Sequence, residues 1–147
     1  MKRILIFIVA IICCGVLTSC EKEEGIGSME DLLGTYHVTV EDYVVWGGDS
    51  GTLHDKGTIT ITKIDKKRVR LRGLISTKGT LDGGKLYLDS TTNTDSYGYI
   101  TRTYNSASFG GGILTIFSTA TGQLSTTTNG TRYPYKSNCY FEGRKVE

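Results

Sequence analysis

Tyr36-His37-Val38-Thr39-Val40-Glu41 alternates apolar and polar side chains residue by residue, and that period decides the fold class. A strand points successive side chains to opposite faces, so period two reads as a sheet packed on one side and wetted on the other. The pattern recurs down the chain. Ile59 and Ile61 sit between Thr58, Thr60 and Thr62, Val69 and Leu71 between Arg68, Arg70 and Arg72, and Leu86 and Leu88 flank Tyr87. Segments 97–104, 113–118, 123–128 and 138–145 read as further strands, the last with Cys139 and Phe141 on one side.

Turn residues separate these runs: Gly47-Gly48-Asp49, Asp65-Lys66-Lys67, Asp82-Gly83-Gly84, Gly110-Gly111-Gly112 and Asn129-Gly130. Twenty threonines in 20–147 suit pleated surfaces, and the single proline, Pro134, leaves almost every strand its full ladder of donors. The expectation is an all-β domain, a small antiparallel meander of about eight strands. It either closes into a barrel or folds as a β-sandwich. Ser28-Met29-Glu30-Asp31 has capping-box form ahead of Leu32 and Leu33, which predicts a short N-terminal helical turn.

The first residues are of another kind. Lys2 and Arg3 precede fourteen apolar residues, Ile4 to Leu17. A membrane-spanning helix needs about 20, so the run reads as a secretory leader. Leu17-Thr18-Ser19-Cys20 resembles the bacterial lipobox, which implies a thioether lipid on Cys20, cleavage before it and acylation of the new N-terminus. One acyl chain anchors marginally, at about 0.8 kcal/mol per methylene, whereas several hold a protein at the bilayer. Glu21, Lys22, Glu23 and Glu24 follow, and the stretch resembles the surface-export signal of Bacteroidetes-type lipoproteins. The plainer alternatives are an ordinary signal peptide and a solvated tether. The expected organisation is a lipoprotein signal peptide at 1–19, a lipidated Cys20 with tether to residue 33, and one β-domain at 34–147. The expected address is the outer membrane, lipid-anchored and facing the cell surface, with the periplasmic side as the alternative.

Bulk numbers narrow the function classes. Without residues 1–19 the chain has 128 residues with fifteen basic and fifteen acidic side chains, a net charge of zero that offers no field to nucleic acid. Ile, Leu, Val and Phe number only 27 of those residues, so binding through loops or an outer face is expected over a roomy greasy cavity. Cys139 is the one thiol left in the domain, which excludes an internal disulfide there and suits a small buried apolar role. His37 and His54 lie in no metal-ligand spacing, and neither a P-loop nor a nucleophile-elbow pattern occurs. No metal, no cofactor beyond the covalent lipid and no catalytic residue are expected.

Leu32-Leu33-Gly34-Thr35-Tyr36 resembles the opening of lipocalin-like domains, where Gly-x-Trp starts the first strand after a helical turn; here Tyr36 stands for the Trp. Thr94-Asp95-Ser96-Tyr97 is similar to that family's Thr-Asp-Tyr turn with one residue interposed. The resemblance implies a lipocalin-like barrel, with Arg144 at the position of the late Arg that packs over the ring. Asp89-Ser90-Thr91 resembles the short O-glycosylation pattern of Bacteroidetes-type periplasmic proteins.

Two constellations are candidates for binding. Arg68, Arg70 and Arg72 share a parity with Lys66, and such a stripe either grips an anionic glycan or carboxylate or simply shields a sheet edge. Trp46, Tyr133 and Tyr135 belong to an aromatic set that either recognises a ligand or fills a core poor in aliphatics, with recognition favoured for Trp46 and Tyr133 and core for Tyr99. The function these residues point to is a non-enzymatic envelope lipoprotein binding a glycan, small ligand or envelope protein. The alternative is a structural or accessory subunit, or an inhibitor, in an outer-membrane complex.

Overall fold

The computed structural model describes residues 27–95, 98–125 and 131–146. The leader, the lipobox with Cys20, the acidic stretch, Ser96-Tyr97 and the Asn129-Gly130 turn lie outside them. After one helical turn, α1 (Met29–Leu32), come nine strands. They are β1 (Gly34–Trp46), β2 (Asp49–Lys63), β3 (Arg68–Gly73), β4 (Thr77–Asp82), β5 (Lys85–Leu88), β6 (Thr91–Asp95), β7 (Gly98–Gly110), β8 (Ile113–Ser125) and β9 (Arg132–Lys145).

All nine form one antiparallel sheet in the order β5-β4-β3-β2-β1-β9-β8-β7-β6. There is no second sheet among the described residues, so the sandwich alternative is set aside. About eight strands were expected and nine are present: β4 and β6 lack the apolar alternation that marks the others, while the candidate segments 113–118 and 123–128 begin and end in one strand, β8, as far as Ser125. In this order every ladder joins neighbours in sequence except β1 with β9, as in an up-and-down meander returning on itself. The two edge strands, β5 and β6, are joined by Asp89-Ser90 alone. Three residue steps reach at most about 11 Å, so the sheet curls until its edges nearly meet. β5 also packs against β7 across this seam, yet no ladder joins β5 to β6. The result is a strongly curled half-barrel.

Glycine pairs set the tight hairpins. Gly111-Gly112, with φ of +57° and +76°, turns β7 into β8, and the other two Gly-Gly turns share that handedness. Both central residues at positive φ match the twist of the flanking strands. Gly73 acts differently. At φ +123° its Cα lies so close to Thr58 that a Cβ would come within 2.0 Å of that carbonyl oxygen. The chain turns inward there, and Leu74 lies over Gly57 on the inner face, with its amide bonded to the Thr58 carbonyl at 3.0 Å.

The core fills the end of the half-barrel at which α1 lies. Tyr36, Val38, Ile59, Ile61, Val69, Leu71, Leu114 and Ile116 are almost fully buried. Each buried aliphatic contributes about 1.5–3 kcal/mol. Met29 and Leu32 of α1 plug the end, with Ser28 Oγ accepting from the Asp31 amide as the N-cap. The Tyr36 hydroxyl donates to the Leu32 carbonyl at 2.7 Å, and its ring meets Phe109 edge-on at 6.0 Å. The late cation here is not Arg144, which is exposed. Lys145 pairs with Tyr36 in register and donates to the Asp31 carbonyl at 2.7 Å, closing the end of α1. Tyr99 also departs from expectation: it is 54% exposed, because its parity places it on the convex face.

Candidate functional site

The concave face changes chemistry above the core. Along β1 the inward positions run Tyr36, Val38, Val40, Asp42, Val44, Trp46, so an acid interrupts an apolar series. Along β7 they include Ile100, Arg102 and Tyr104. Register brings the two together. One rung across four strands is Asp42, Cys139, Ser118 and Tyr104; the next is Val44, Ser137, Ala120 and Arg102.

Ala120 leaves room for the guanidinium to cross β8. Arg102 Nη1 donates to Ser118 Oγ at 2.9 Å, and Nη2 donates to Ser137 Oγ at 3.4 Å. Nη2 also lies 3.8 Å from Asp42 Oδ2, while Ser137 Oγ donates to Asp42 Oδ1 at 2.5 Å. Side-chain exposure is only 21% for Arg102 and 17% for Asp42, so each charge depends on the other for compensation. Ser118 and Ser137 are buried, and Ser137 bridges Arg102 to Asp42 while Ser118 accepts from Arg102. No buried side-chain nitrogen or oxygen among the described residues is left without a partner.

This cluster forms one wall of a cavity of about 550 Å3. Val40, Leu74, Ile75 and Phe141 supply its apolar side, continuous with the core. Thr91, Asn93, Ser76, Asp55 and Tyr104 add polar groups, and exposed Leu53 and Asn93 mark where it opens to solvent. A concave site of this size with an apolar base and a few convergent polar groups is what small-molecule binding requires. Burial pushes the Tyr104 phenol up from its ordinary pKa. Burial, with the Asp42 charge beside it, raises Cys139 to about 11, so the thiol stays protonated at neutral pH and is a poor nucleophile.

The candidates named from sequence separate cleanly. Trp46, Tyr135 and Tyr133 come together on the concave face: Trp46 pairs with Tyr135 directly above the Val44–Ser137 rung, and Tyr133 lies against the turn at Gly47. Trp46 is 42% exposed and Tyr133 36%. Arg68, Arg70 and Arg72 lie on the convex face, whose neighbours in register are Thr62 and Thr60 on β2 and Lys78 on β4. Arg68 is held by Asp65 at 2.9 Å. The stripe therefore faces away from the cavity and shares no site with the aromatics. Asp42 and Arg102 were not foreseen, although a charge at an inward parity position was a readable signal for both. No group of three His, Cys, Asp or Glu among the described residues is placed to hold a metal, and no helix among them is long and apolar enough to cross a membrane.

No protein-family profile and no curated protein sequence matches the chain. Solved structures do resemble it. One is an S-type phycobiliprotein lyase from Guillardia theta, at 7% identity over 80% of this chain and 90% of the lyase, with a TM-score of 0.37. Another is a multidomain protein including DUF1735 from Bacteroides ovatus, at 12% identity over 77% of this chain, with a TM-score of 0.33. The match spans half of that longer chain. These likenesses are distant, and neither carries a ligand or a reaction over to this chain.

Proposed function

We propose that this chain is a cell-envelope lipoprotein, held through Cys20 at the outer membrane with its domain at the cell surface, whose half-barrel binds a small ligand without transforming it. The observation that carries the binding role is the 550 Å3 cavity with the Asp42–Ser137–Arg102 cluster in its wall. A buried charge pair is costly to place in a sheet and adds little stability over apolar residues of similar volume. Its position supports a recognition role, since Asp42 and Arg102 both line the cavity. Cys139 beside it supplies no nucleophile, and Asp42 has both carboxylate oxygens engaged. Asp55, the other carboxylate of the cavity, accepts from the Lys56 amide.

Binding is tested by thermal denaturation of the full-length protein against a library of glycans, lipids and small polar metabolites. A ligand that raises the melting temperature of the native protein but not of Arg102→Met supports the reading; stabilisation equal in both proteins contradicts it. The anchor is tested separately, since Cys20→Ala is expected to move the protein from the membrane to the soluble fraction. Unchanged fractionation counts against lipid attachment.

A second reading, as a subunit or inhibitor in an envelope complex, rests on the convex face. Phe117 and Tyr140 are cross-strand neighbours there and both are exposed, with Tyr43 nearby on β1. A stable protein co-purifying with the native chain but not with Tyr140→Glu would favour it.

A further inference from the structure

Trp46, Tyr135 and Tyr133 lie beyond the cavity lining, further along β1 and β9 on the same concave face. Asp42 and Trp46 are four residues apart on β1 and both face inward, a separation of roughly 13 Å. The concave face therefore offers the Asp42–Arg102 cluster above the apolar core and, at the turn end of β1 and β9, three aromatic rings. We infer that the ligand is a short neutral oligosaccharide, lying along this face with one sugar at the Asp42–Arg102 cluster and another stacked on Trp46 and Tyr133. This inference rests on the binding role proposed above and names the ligand class.

Charge argues first. The cavity is lined by two carboxylates, Asp42 and Asp55, against one guanidinium, Arg102, which Asp42 already faces, and by His54, whose register opposite Glu41 gives it the parity of the convex face. A carboxylate, phosphate or fatty-acid headgroup would find the one guanidinium of this lining already paired with Asp42. An ammonium fares no better, because Asp42 is committed to Arg102 and Ser137, while Asp55 stands exposed to water. A ligand without charge but dense in hydroxyls suits the remaining groups. Asn93, Thr91 and Ser76 offer donors and acceptors that need no counter-ion.

Shape argues second. Trp46 and Tyr133 are half-exposed rings that are costly to leave in water, and they lie at the turn end, outside the core cluster of the described residues. A pyranose presents an apolar C–H face and a polar edge, which matches an aromatic ring beside hydrogen-bonding side chains. A purely apolar chain would desolvate Asn93 and Ser76 of the lining without offering them a partner, at a cost for each polar group.

Trp46 is the only tryptophan of the chain, so its fluorescence reports the rim alone. The test screens the full-length protein in nanodiscs on an array of neutral and anionic oligosaccharides. Hits are followed by calorimetry and tryptophan emission, with palmitate and spermine as the charged comparators. Expected is binding of a neutral oligosaccharide that shifts Trp46 emission and protects it from iodide. Affinity should fall at least tenfold in Trp46→Ala and several-fold in Asn93→Ala, two exposed positions whose replacement leaves the core intact. Palmitate, spermine or an anionic glycan binding in an Arg102-dependent way with Trp46 emission unchanged would overturn the oligosaccharide while leaving cavity binding in place. Absence of binding by every probe would overturn both.

Discussion

Asp42 and Arg102 are single residues whose meaning depends on a partner 60 positions away. Removing the guanidinium in Arg102→Met strands a partly buried carboxylate, which should cost about 2 kcal/mol in urea denaturation. Adding Asp42→Leu should recover most of that loss, because the penalty comes from the uncompensated charge; a double variant as unstable as the single one would contradict this account. Two other buried groups set the response to alkali. Tyr36 is raised to about 12 from its usual 10 by burial, and Cys139 to about 11 from 9 by burial and Asp42. Both keep their protons in the folded chain after the unfolded chain has lost them. Their contribution is thus complete below pH 9 and is lost as pH rises, between about 9 and 11 for the thiol and about 10 and 12 for the phenol. Denaturation from pH 8 to 12 should show stability falling, with the later part of the fall missing in Tyr36→Phe. That variant should also be about 1 kcal/mol weaker at neutral pH through loss of the bond to Leu32. At this scale the sequence was partly legible: the parity of Asp42 among Val40 and Val44 marked it as inward, but nothing local named Arg102 as its counter-charge.

Elements are shaped by where backbone conformation is forced. Gly73→Ala would put a Cβ against the Thr58 carbonyl at a positive φ, and a loss of more than about 2 kcal/mol is expected. Gly111→Asn, at φ +57° with nothing within 4 Å, should cost under about 0.5 kcal/mol. Comparable melting temperatures for the two variants would show that the turn-in at Gly73 is not strained as described. The strands seen from alternation, such as β1, β3 and β5, were readable because one face is wet and the other dry. β4 and β6 escaped notice since Thr77, Gly79 and the Thr-Asn run of 91–94 carry no such contrast. Strand β7 breaks parity at the irregularity between Tyr104 and Ser106, so that Tyr104 and Ala107 both reach the core, a change of face no alternation rule anticipates.

For the whole molecule the seam is the decisive feature. β1, β8 and β9 have partners on both sides, whereas β5 and β6 each have one. Hydrogen exchange should therefore be slowest in the first three and fastest in β5 and β6, with protection differing by several kcal/mol in opening free energy. Uniform protection around the sheet would indicate a closed β5–β6 ladder. The same curl sorts the candidate residues: Trp46, Tyr133 and Tyr135 onto the concave side, Arg70 and Arg72 onto the convex one.

From its residues alone the chain determined an all-β architecture, the hairpin turns at Gly47-Gly48, Asp65-Lys66-Lys67, Gly83-Gly84 and Gly111-Gly112, the short helical turn and the burial of Cys139, because period two, glycine pairs and capping residues act over a few neighbours. Only the tertiary structure decided the single nine-stranded sheet, the pairing of Asp42 with Arg102 through Ser137, and the cavity above the core. Those depend on registry between strands up to a hundred residues apart, and local composition carries no record of which rungs will meet.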